Sequence, residues 1–560
     1  MNVVTLNGVV VTSIWPFVTV IAGSQLLSSI AKGNSTYSLD SDTLVHSADP
    51  AADVDVDRQS PNAKVIKTMY LGIDCGTQGT KALFIDENGT SLGRGYAPHA
   101  LIERETGARE QEPQWWVDAL RSAVREALAQ SPGKSVQALG VSGQQHGLVV
   151  LDENHNVIRP AKLWNDTDTA PENQQLIELL GGKQACFERF GIVPLTGYTV
   201  SKLLWLKNHE PENFARIRHI LLPHEYLNFW LTGRMCAEYG DASGTAFFDI
   251  RSRRWAREVL DAIDGGTGQL FAALPPLITV DEPVGTLRPE VAADLGLPQS
   301  CIVSSGGGDN MMGAIGTGNV REGVVTLSLG TSSTVYSFHE QPVLDPTGNV
   351  APFCSSSDGW LPLVCTMNAT NVVTQTLNTL GKTVQDIETA FASTQPGAHG
   401  LVFLPFLNGE RTPDLPNARG TLTGISANNF TPENLIRAAV EGVSFGILNG
   451  LDLIQGGKPV DCMLVIGGGS RSAAWRQLLA DASGATVKVP LEEEAGCLGA
   501  AIQAMYTFSL ASGHPVSFAE LADRCVKVDP TRSAHPNTDL RAAYQQARDQ
   551  YQSSLQALYN

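Results

Sequence analysis

The chain has 560 residues, enough for two or more domains with well-filled cores. Its 39 Lys and Arg residues against 57 Asp and Glu give a net charge of -18 and a pI near 5.1. Binding nucleic acid or an anionic membrane requires basic surface, so this charge argues against both kinds of partner. The nine cysteines are scattered without a CxxC pair, which indicates reduced thiols in a cytoplasmic protein.

Residues 1–68 differ in composition from the rest of the chain. The apolar stretch 9–21 is interrupted by Thr, Ser and Pro, and it is too short for a membrane helix. No Lys or Arg precedes it, as a secretory signal would require. Residues 33–59 are rich in Ser, Asp and Ala, as in a disordered segment. We therefore expect residues 1–68 to be a disordered or mis-assigned N-terminal extension, with a cryptic targeting peptide as the alternative, and the fold to begin at Met69.

Two predicted hairpins share one design. Residues 69–86 predict two strands joined by the turn 76–79, and residues 324–338 repeat the pattern around Gly330 and Thr331. Small turn residues leave backbone N–H groups free to close on an anion. The repetition suggests a duplicated architecture in which each half offers one hairpin to the phosphates of a nucleotide. It resembles the actin/hexokinase superfamily, which implies an α/β fold of two actin-like (ribonuclease H-like) domains with an interdomain cleft.

Asp74 ends the first strand of the first hairpin, where its carboxylate could face a metal ion. Carboxylate oxygens are hard ligands of the kind that Mg²⁺ uses beside phosphates. An ordinary hairpin with a glycine turn has the same local sequence, so this stretch alone leaves both interpretations open.

Polar residues follow two further predicted strands. Strand 138–142 leads to Gln145 and His146, which are flanked by glycines, and α/β folds place ligands at such strand ends. Trp164 and Asp166 end another short apolar strand, where the indole could cover the apolar side of a sugar and the carboxylate take a hydroxyl. A structural histidine, and core packing with a turn carboxylate, are the respective alternatives.

Asp309 and Asn310 open a predicted helix directly after a buried strand and three glycines. Three consecutive glycines indicate backbone that another group approaches closely. A carboxylate at a helix N-terminus stays ionised, so it could accept the proton of a hydroxyl that attacks phosphorus. A helix cap after a flexible turn is the structural alternative.

Two glycine-rich segments follow in the second half. Glu410 and Arg411 lie in a Gly/Pro-rich loop, which we expect them to hold by pairing with each other or with the backbone. The glycines at 467–469 join a strand to a helix and would let an adenosine lie flat against the backbone. This turn is neither a GxGxxG fingerprint nor a P-loop.

Together these segments resemble the FGGY carbohydrate kinases, in matching order from Met69 to about Ala504. The matching motifs are Gly72-Ile73-Asp74-Cys75-Gly76-Thr77, Gly143-Gln144-Gln145-His146-Gly147, Trp164-Asn165-Asp166, the stretch 197–209, Gly306-Gly307-Gly308-Asp309-Asn310, Ser328-Leu329-Gly330-Thr331-Ser332, Gly409-Glu410-Arg411-Thr412-Pro413 and Gly467-Gly468-Gly469.

The resemblance implies a sugar-binding domain over 69–316 and an ATP-binding domain over 317–560. Its implied reaction is the phosphorylation of D-xylulose on its terminal hydroxyl by ATP and Mg²⁺, with Asp309 as base and Asp74 near the Mg²⁺ through water. The residues implied to bind the sugar are Gln145, His146, Trp164, Asp166, Asp309 and Asn310. Those implied to bind ATP are Gly76, Thr77, Gln78, Gly330, Thr331, Gly468 and Gly469.

Two departures from the family pattern affect the choice of sugar. Gln145 stands where some members carry Met, and residues 167–169 are Thr-Asp-Thr instead of containing a Gly-Arg pair. Another ketopentose or a pentitol, as in a ribulokinase, is therefore the alternative substrate. An ATP-gated sugar sensor of the same fold is the alternative from a non-enzyme class. The implied partners are the sugar and ATP, without nucleic acid or membrane, and a homodimer is allowed.

Overall fold

The computed structural model describes residues 68–131 and 135–559, together with the backbone of three strands near the N-terminus. The chain divides into two compact units, Met1–Lys64 and Val65–Asn560. In the first unit, β1 (Asn2–Leu6), β2 (Val9–Ile14) and β3 (Phe17–Ile21) form an antiparallel sheet in that order. These strands lie inside the predicted N-terminal extension, and the rest of that extension, apart from Thr68, lies outside the described residues.

The strands of the second unit are β4 (Thr68–Cys75), β5 (Gly79–Ile85), β6 (Ser91–Pro98), β7 (Ile102–Glu103), β8 (Arg109–Gln111), β9 (Ser135–Gly143), β10 (Val149–Leu151), β11 (Ala161–Lys162), β12 (His219–Leu221), β13 (Ala237–Glu238), β14 (Phe248–Asp249), β15 (Arg254–Trp255), β16 (Leu277–Ile278), β17 (Gly285–Thr286), β18 (Ile302–Val303), β19 (Gly307–Gly308), β20 (Val324–Leu329), β21 (Ser333–Ser337), β22 (Ala351–Cys354), β23 (Trp360–Thr366), β24 (Val402–Leu404), β25 (Thr421–Thr423), β26 (Cys462–Ile466) and β27 (Thr486–Lys488).

Its helices are α1 (Pro113–Ala129), α2 (Ala170–Leu179), α3 (Lys183–Phe190), α4 (Thr199–His209), α5 (Pro211–Ala215), α6 (Pro223–Thr232), α7 (Tyr239–Ala242), α8 (Arg257–Asp264), α9 (Gln269–Ala272), α10 (Pro289–Leu295), α11 (Asp309–Gly316), α12 (Thr370–Thr379), α13 (Asp386–Ser393), α14 (Pro432–Gln455), α15 (Ala473–Ser483), α16 (Ala495–Ala511), α17 (Phe518–Cys525) and α18 (Arg541–Tyr559). Within the described residues, no helix combines the length and the apolar character needed to cross a membrane.

The first large sheet has the strand order β17-β18-β9-β4-β5-β6, and β19 pairs additionally with β9. β4, β5 and β6 form an antiparallel meander, whereas β9 runs parallel to β4 and β18 runs parallel to β9. Alternation along β4 divides its side chains between two cores: Leu71 and Ile73 pack with α1, and Tyr70 packs with α16. Burial on both faces is typical of a sheet covered by helices.

The second large sheet repeats this topology. Its order is β22-β23-β21-β20-β26-β27, in which β20, β21 and β23 form the antiparallel meander. β26 then runs parallel to β20, and β27 runs parallel to β26. The long helix α14 packs in the core beside this sheet. The duplicated architecture predicted from the two hairpins is therefore confirmed at the level of the whole sheets.

Helix α16 follows the second sheet in sequence but packs on the first sheet and on α11. Glycines make this close approach feasible. A Cβ atom added to Gly72 would lie 1.8 Å from the carbonyl oxygen of Cys497, and one added to Gly499 would lie 1.8 Å from that of Met312. The division of the chain at 316 and 317 stays a prediction, but α16 from the later segment completes the core of the earlier one.

Candidate active site

The candidate site lies where three neighbouring strands of the first sheet end. Asp74 and Cys75 at the end of β4 pair with Ser142 and Gly143 of β9, which pair in turn with β19. A cavity of about 430 Å³ opens nearby. Its lining includes Gln145, His146, Trp164, Tyr198, Asp309, Asn310 and Arg411. Five of the six predicted sugar-binding residues thus meet at one cavity.

Asp309 begins α11 and is held by its neighbour. Its Oδ1 accepts hydrogen bonds from the backbone N–H of Asn310 at 2.8 Å and from Asn310 Nδ2 at 3.0 Å. Burial raises the pKa of Asp309 to about 7, the charges of Asp74 and Asp241 add to that rise, and the hydrogen bonds from Asn310 oppose it. Desolvation therefore outweighs the helix N-terminus, which the sequence predicts to keep this carboxylate ionised. A pKa near neutrality suits a general base.

Asp74 lies on the same sheet edge as Asp309. Its Oδ1 accepts a hydrogen bond from Ser142 Oγ at 2.6 Å. Burial raises the pKa of Asp74, whereas the Ser142 hydrogen bond and the charge of Lys81 lower it. Lys81 pairs with Glu494, just before α16, so an ion pair lies next to this carboxylate.

The Asp74 carboxylate is chemically suited to a magnesium ion of the kind that binds beside nucleotide phosphates. Among the described residues, no group of three or more His, Cys, Asp or Glu side chains gathers as a metal site. Mg²⁺ beside a nucleotide takes only one or two protein carboxylates and obtains its other ligands from phosphates and waters. Asp74 supplies hard oxygen atoms of this kind at the end of β4.

Gln145 lines the cavity and is hydrogen-bonded to Asn310, the residue that holds Asp309. Its Oε1 accepts a hydrogen bond from Asn310 Nδ2 at 2.8 Å, which orients the amide. Its Nε2 is buried and has no partner within the described residues, so this donor is available to a ligand. A buried donor without a partner costs free energy in the empty site and is satisfied when a hydroxyl binds.

His146 is fixed in an uncommon backbone conformation, with φ of 64°. Two side chains of α4 hold it, because its carbonyl oxygen accepts hydrogen bonds from Lys202 Nζ and from Thr199 Oγ1. Its ring lies 4.7 Å from the ring of Tyr198 and 5.7 Å from that of Phe353, measured between centroids. Burial lowers the pKa of His146 well below its usual value, so the imidazole is neutral and serves as a hydrogen-bonding group.

The side chains of Trp164 and Asp166 lie in different environments, although the two residues are only two positions apart in sequence. The Trp164 side chain is 44% exposed and lines the cavity, as predicted for a surface that covers a sugar. Asp166 is fully buried and does not line it: its Oδ2 accepts hydrogen bonds from Lys162 Nζ at 3.1 Å and from the backbone N–H of Arg109 at 3.0 Å. The predicted contact of Asp166 with a sugar hydroxyl does not fit this position, because the protein itself satisfies the carboxylate.

The predicted ATP-binding residues form two groups. Gly76, Thr77 and Gln78 make the first turn, which the bond from Gly76 N–H to Gly79 O closes at 3.1 Å, and Trp164 Nε1 donates to Thr77 Oγ1 at 3.0 Å. This group therefore adjoins the cavity wall.

The second group lies where β20 and β26 end side by side. The carbonyl oxygen of Gly330, next to Thr331, accepts hydrogen bonds from Thr370. A Cβ atom on Gly469 would lie 2.8 Å from Leu329 Cβ, so the two glycine turns are in contact. Nothing lies within 4 Å of a Cβ atom on Gly468, which leaves this backbone open to a planar ligand.

Two residues at or near the cavity, Arg411 and Lys202, are not among the predicted site residues. Glu410 holds its loop as expected, because it accepts hydrogen bonds from the backbone N–H groups of Met367 and Arg411. The Arg411 side chain instead lines the cavity. Lys202, which supports His146, lies on a helix that by sequence is only amphipathic. Both residues lie in stretches that match the family, Gly409–Pro413 and 197–209, and this match is the sequence signal for them.

Comparison with known proteins gives the family. The model of the FGGY family of carbohydrate kinases, N-terminal domain, matches residues 69–316, and the model of its C-terminal domain matches residues 325–508. A xylulose kinase of Haemophilus influenzae is 46% identical over 499 residues, which are 88% of this chain and 100% of that protein. A xylulose kinase of Streptomyces rubiginosus is 40% identical over 440 residues, which are 78% of this chain and 87% of that protein.

Solved structures agree with this relationship. A xyloylose kinase from Brucella ovis superposes with a TM-score of 0.80 at 32% sequence identity, over 88% of this chain and 99% of that chain. The fold is thus the two-domain, actin/hexokinase-like α/β fold. With family models matched in both halves and relatives aligned over most of its length, the chain belongs to the FGGY family of carbohydrate kinases.

Proposed function

We propose that this carbohydrate kinase transfers the γ-phosphoryl group of ATP to the terminal hydroxyl of D-xylulose, giving D-xylulose 5-phosphate. The observation that carries the proposal is Asp309, a buried carboxylate whose pKa is raised to about 7 and which lines a cavity of about 430 Å³. The relatives named xylulose kinase, at 46% and 40% identity, support the choice of sugar.

The reaction is an in-line displacement at phosphorus. Asp309 accepts the proton of the sugar hydroxyl as its oxygen forms a bond to the γ-phosphorus and the bond to the β,γ-bridging oxygen breaks, releasing ADP. Gln145, His146 and Asn310 hold the sugar hydroxyls, and the Trp164 indole covers its apolar side. Such positioning supplies a large share of the rate enhancement in phosphoryl transfer, because the protein does little covalent chemistry itself.

The nucleotide lies across the two hairpins in this proposal. Backbone N–H groups of the turns at Gly76, Thr77 and Gln78 and at Gly330 and Thr331 would hold the phosphates, and Gly468 and Gly469 would face the adenosine. Asp74 would hold Mg²⁺ through water. When bound, the metal would neutralise charge on the transferred group. The free thiols of all nine cysteines support a cytoplasmic setting, and a homodimer stays a prediction.

An ADP-release assay over a panel of acceptors tests the proposal. D-xylulose, D- and L-ribulose, xylitol and D-arabitol are each offered with ATP and Mg²⁺, and kcat/KM is compared. We expect D-xylulose to exceed every other acceptor. A higher kcat/KM for ribulose or a pentitol would replace the proposed sugar with the ribulokinase-like alternative. Nucleotide binding without sugar-dependent ADP release would favour the sensor.

A further inference from the structure

A chain of hydrogen bonds joins the sugar-facing Trp164 to the phosphate-facing turn at Thr77. Trp164 Nε1 donates to Thr77 Oγ1 at 3.0 Å, and Thr77 Oγ1 donates to Gln144 Oε1 at 3.1 Å. Gln144 Nε2 donates to Gln111 Oε1 at 2.9 Å, and this oxygen also accepts from Trp116 Nε1 at 2.9 Å. Both glutamines are buried, at 1% and 0% exposure. We call these five residues the relay.

The direction of each bond in the relay is fixed from the buried end. An indole N–H can only donate, so the group facing Trp116 must be the oxygen of Gln111. The Gln111 Nε2 then donates to two carbonyl oxygens, of Thr77 at 2.8 Å and of Ala100 at 2.9 Å. Gln144 must offer its Nε2 to Gln111, which leaves its Oε1 as an acceptor for Thr77. The hydrogen of the Thr77 hydroxyl therefore points to Gln144.

The bond at the exposed end of the relay, from Trp164 to Thr77, is consistent with this direction. The Trp164 indole N–H can only donate, and the Thr77 oxygen accepts it because its own hydrogen is used elsewhere. The Thr77 hydroxyl thus has no hydrogen to offer a phosphate. In the described part of the chain, the backbone N–H groups of Thr77 and Gln78 have no acceptor, so these are the turn's donors to an anion. The relay orients the turn, and the backbone amides of the turn bind the anion.

We infer that Trp164 is a positioning residue that couples the two substrates of this kinase. The inference rests on the proposed function. Trp164 is 44% exposed in the cavity wall, so a sugar that covers the indole restricts its motion and holds Nε1 on Thr77. The turn then loses less conformational entropy when its amides bind the phosphates. The sugar and the nucleotide therefore bind with positive cooperativity.

Isothermal titration with D-xylulose and the non-transferable analogue adenylyl imidodiphosphate with Mg²⁺ tests the inference. The coupling factor is the nucleotide Kd without sugar divided by the nucleotide Kd at saturating sugar. Trp164→Phe keeps an aromatic ring and removes the N–H, and Thr77→Val keeps the shape and removes the hydroxyl. We expect Trp164→Phe to lower the coupling factor about three- to tenfold, the net effect of one hydrogen bond. Thr77→Val should lower it at least as much, because it also removes the bond to Gln144.

Three further variants make the test specific. Thr77→Ser retains the hydroxyl and should retain the coupling. The double variant Trp164→Phe/Thr77→Val should lose no more than Thr77→Val alone, because Thr77→Val already removes the bond that Trp164→Phe removes. Trp255→Phe is the matched control: its Nε1 donates at 3.0 Å to Pro275 O, away from the cavity, so its loss should leave the coupling unchanged.

The outcomes separate this inference from the proposed function. If the unmodified protein shows no xylulose binding and no turnover, the proposed function is wrong. If it binds and phosphorylates xylulose with a coupling factor of one, only the inference is overturned. Undiminished coupling in Trp164→Phe, or additive losses in the double variant, would also overturn it. If Thr77→Val does not fold, Trp164→Phe against Thr77→Ser decides the same question.

Discussion

At the scale of single residues, Asp309 is kept in an energetically unfavourable environment. Its carboxyl is buried, two other carboxylates raise its pKa further, and hydrogen bonds from Asn310 stabilise its ionised form. Such an arrangement opposes ionisation in the folded protein but gives a proton acceptor whose pKa is matched to neutral pH.

This environment predicts a pH-dependent stability difference between the native protein and Asp309→Asn. The folded carboxyl keeps its proton up to about pH 7, whereas the ordinary value of the group is 3.8. Between these values the folded state binds more protons than the unfolded state, so the free energy of unfolding falls as pH rises. The variant lacks this contribution, and its thermal midpoint relative to the native protein should increase from pH 4 to pH 7.5. A difference that stays constant across this range would contradict the raised pKa of Asp309.

The sequence predicts which residues are chemically suited to a site better than it predicts which residues they contact. Asp309, Gln145 and His146 were identifiable because glycines surround them at strand ends, and the structure brings them to one cavity. Asp166 also follows a short predicted strand, yet Lys162 and the Arg109 backbone hold it in the interior. Arg109 comes from a strand 57 residues earlier in the chain. Contacts at such separations leave no local pattern, which is why the sequence alone does not predict the interior position of Asp166.

At the scale of elements, strand and helix types follow the predictions closely. The hairpin predicted around Gly330 is observed as β20 and β21, and the helix predicted to start at Asp309 is α11. Hydrophobic periodicity and glycine turns are local signals, so they specify such elements well. The helix α16 begins with a glycine-rich stretch. Its contact with α11 has no local signal, because Gly499 and Met312 are 187 residues apart in sequence.

The contact between α16 and α11 predicts a specific effect of Gly499→Ala. The added Cβ would lie 1.8 Å from the carbonyl oxygen of Met312, so α16 must move away from the helix that begins with Asp309. We expect unfolding to be easier by about 1–3 kcal/mol or more. We also expect kcat to fall about ten- to a hundredfold through displacement of the base.

Gly446→Ala on α14 is the matched control for this substitution. Its Cβ would meet the Tyr551 hydroxyl at 3.3 Å, so a shift of a few tenths of an ångström relieves the contact. Thermal midpoints and kcat of both variants provide the measurement. Equal behaviour of the two variants would show that the α16–α11 contact does not position Asp309.

At the scale of the whole molecule, two sheets of one topology each carry a glycine turn where their strands end. Duplication was predictable because a hairpin recurs in the sequence with the same turn residues. The crossing of α16 to the first sheet was not, because sequence order alone assigns it to the second half. The topology therefore makes Asp74 and Asp309 dependent on a helix from the other half of the chain.

The N-terminal residues are predicted to be dispensable for catalysis. The family model matches from residue 69, and a relative of this chain is matched over its full length by 88% of the chain. A chain begun at Met69 should keep its kcat/KM for D-xylulose and its thermal midpoint. Loss of stability or activity in the shortened chain would show that the N-terminal residues contribute to the fold.

We propose that Asp309 acts as the base when phosphate is transferred to the terminal oxygen of D-xylulose. The most direct measurement follows D-xylulose and ATP by phosphorus NMR with the native protein and with Asp309→Asn, and assigns the phosphate position from its coupling to carbon. We expect D-xylulose 5-phosphate from the native protein, and formation at least about a hundredfold slower from the variant with its fold intact. Phosphate on another oxygen, or near-native turnover by Asp309→Asn, would contradict this assignment.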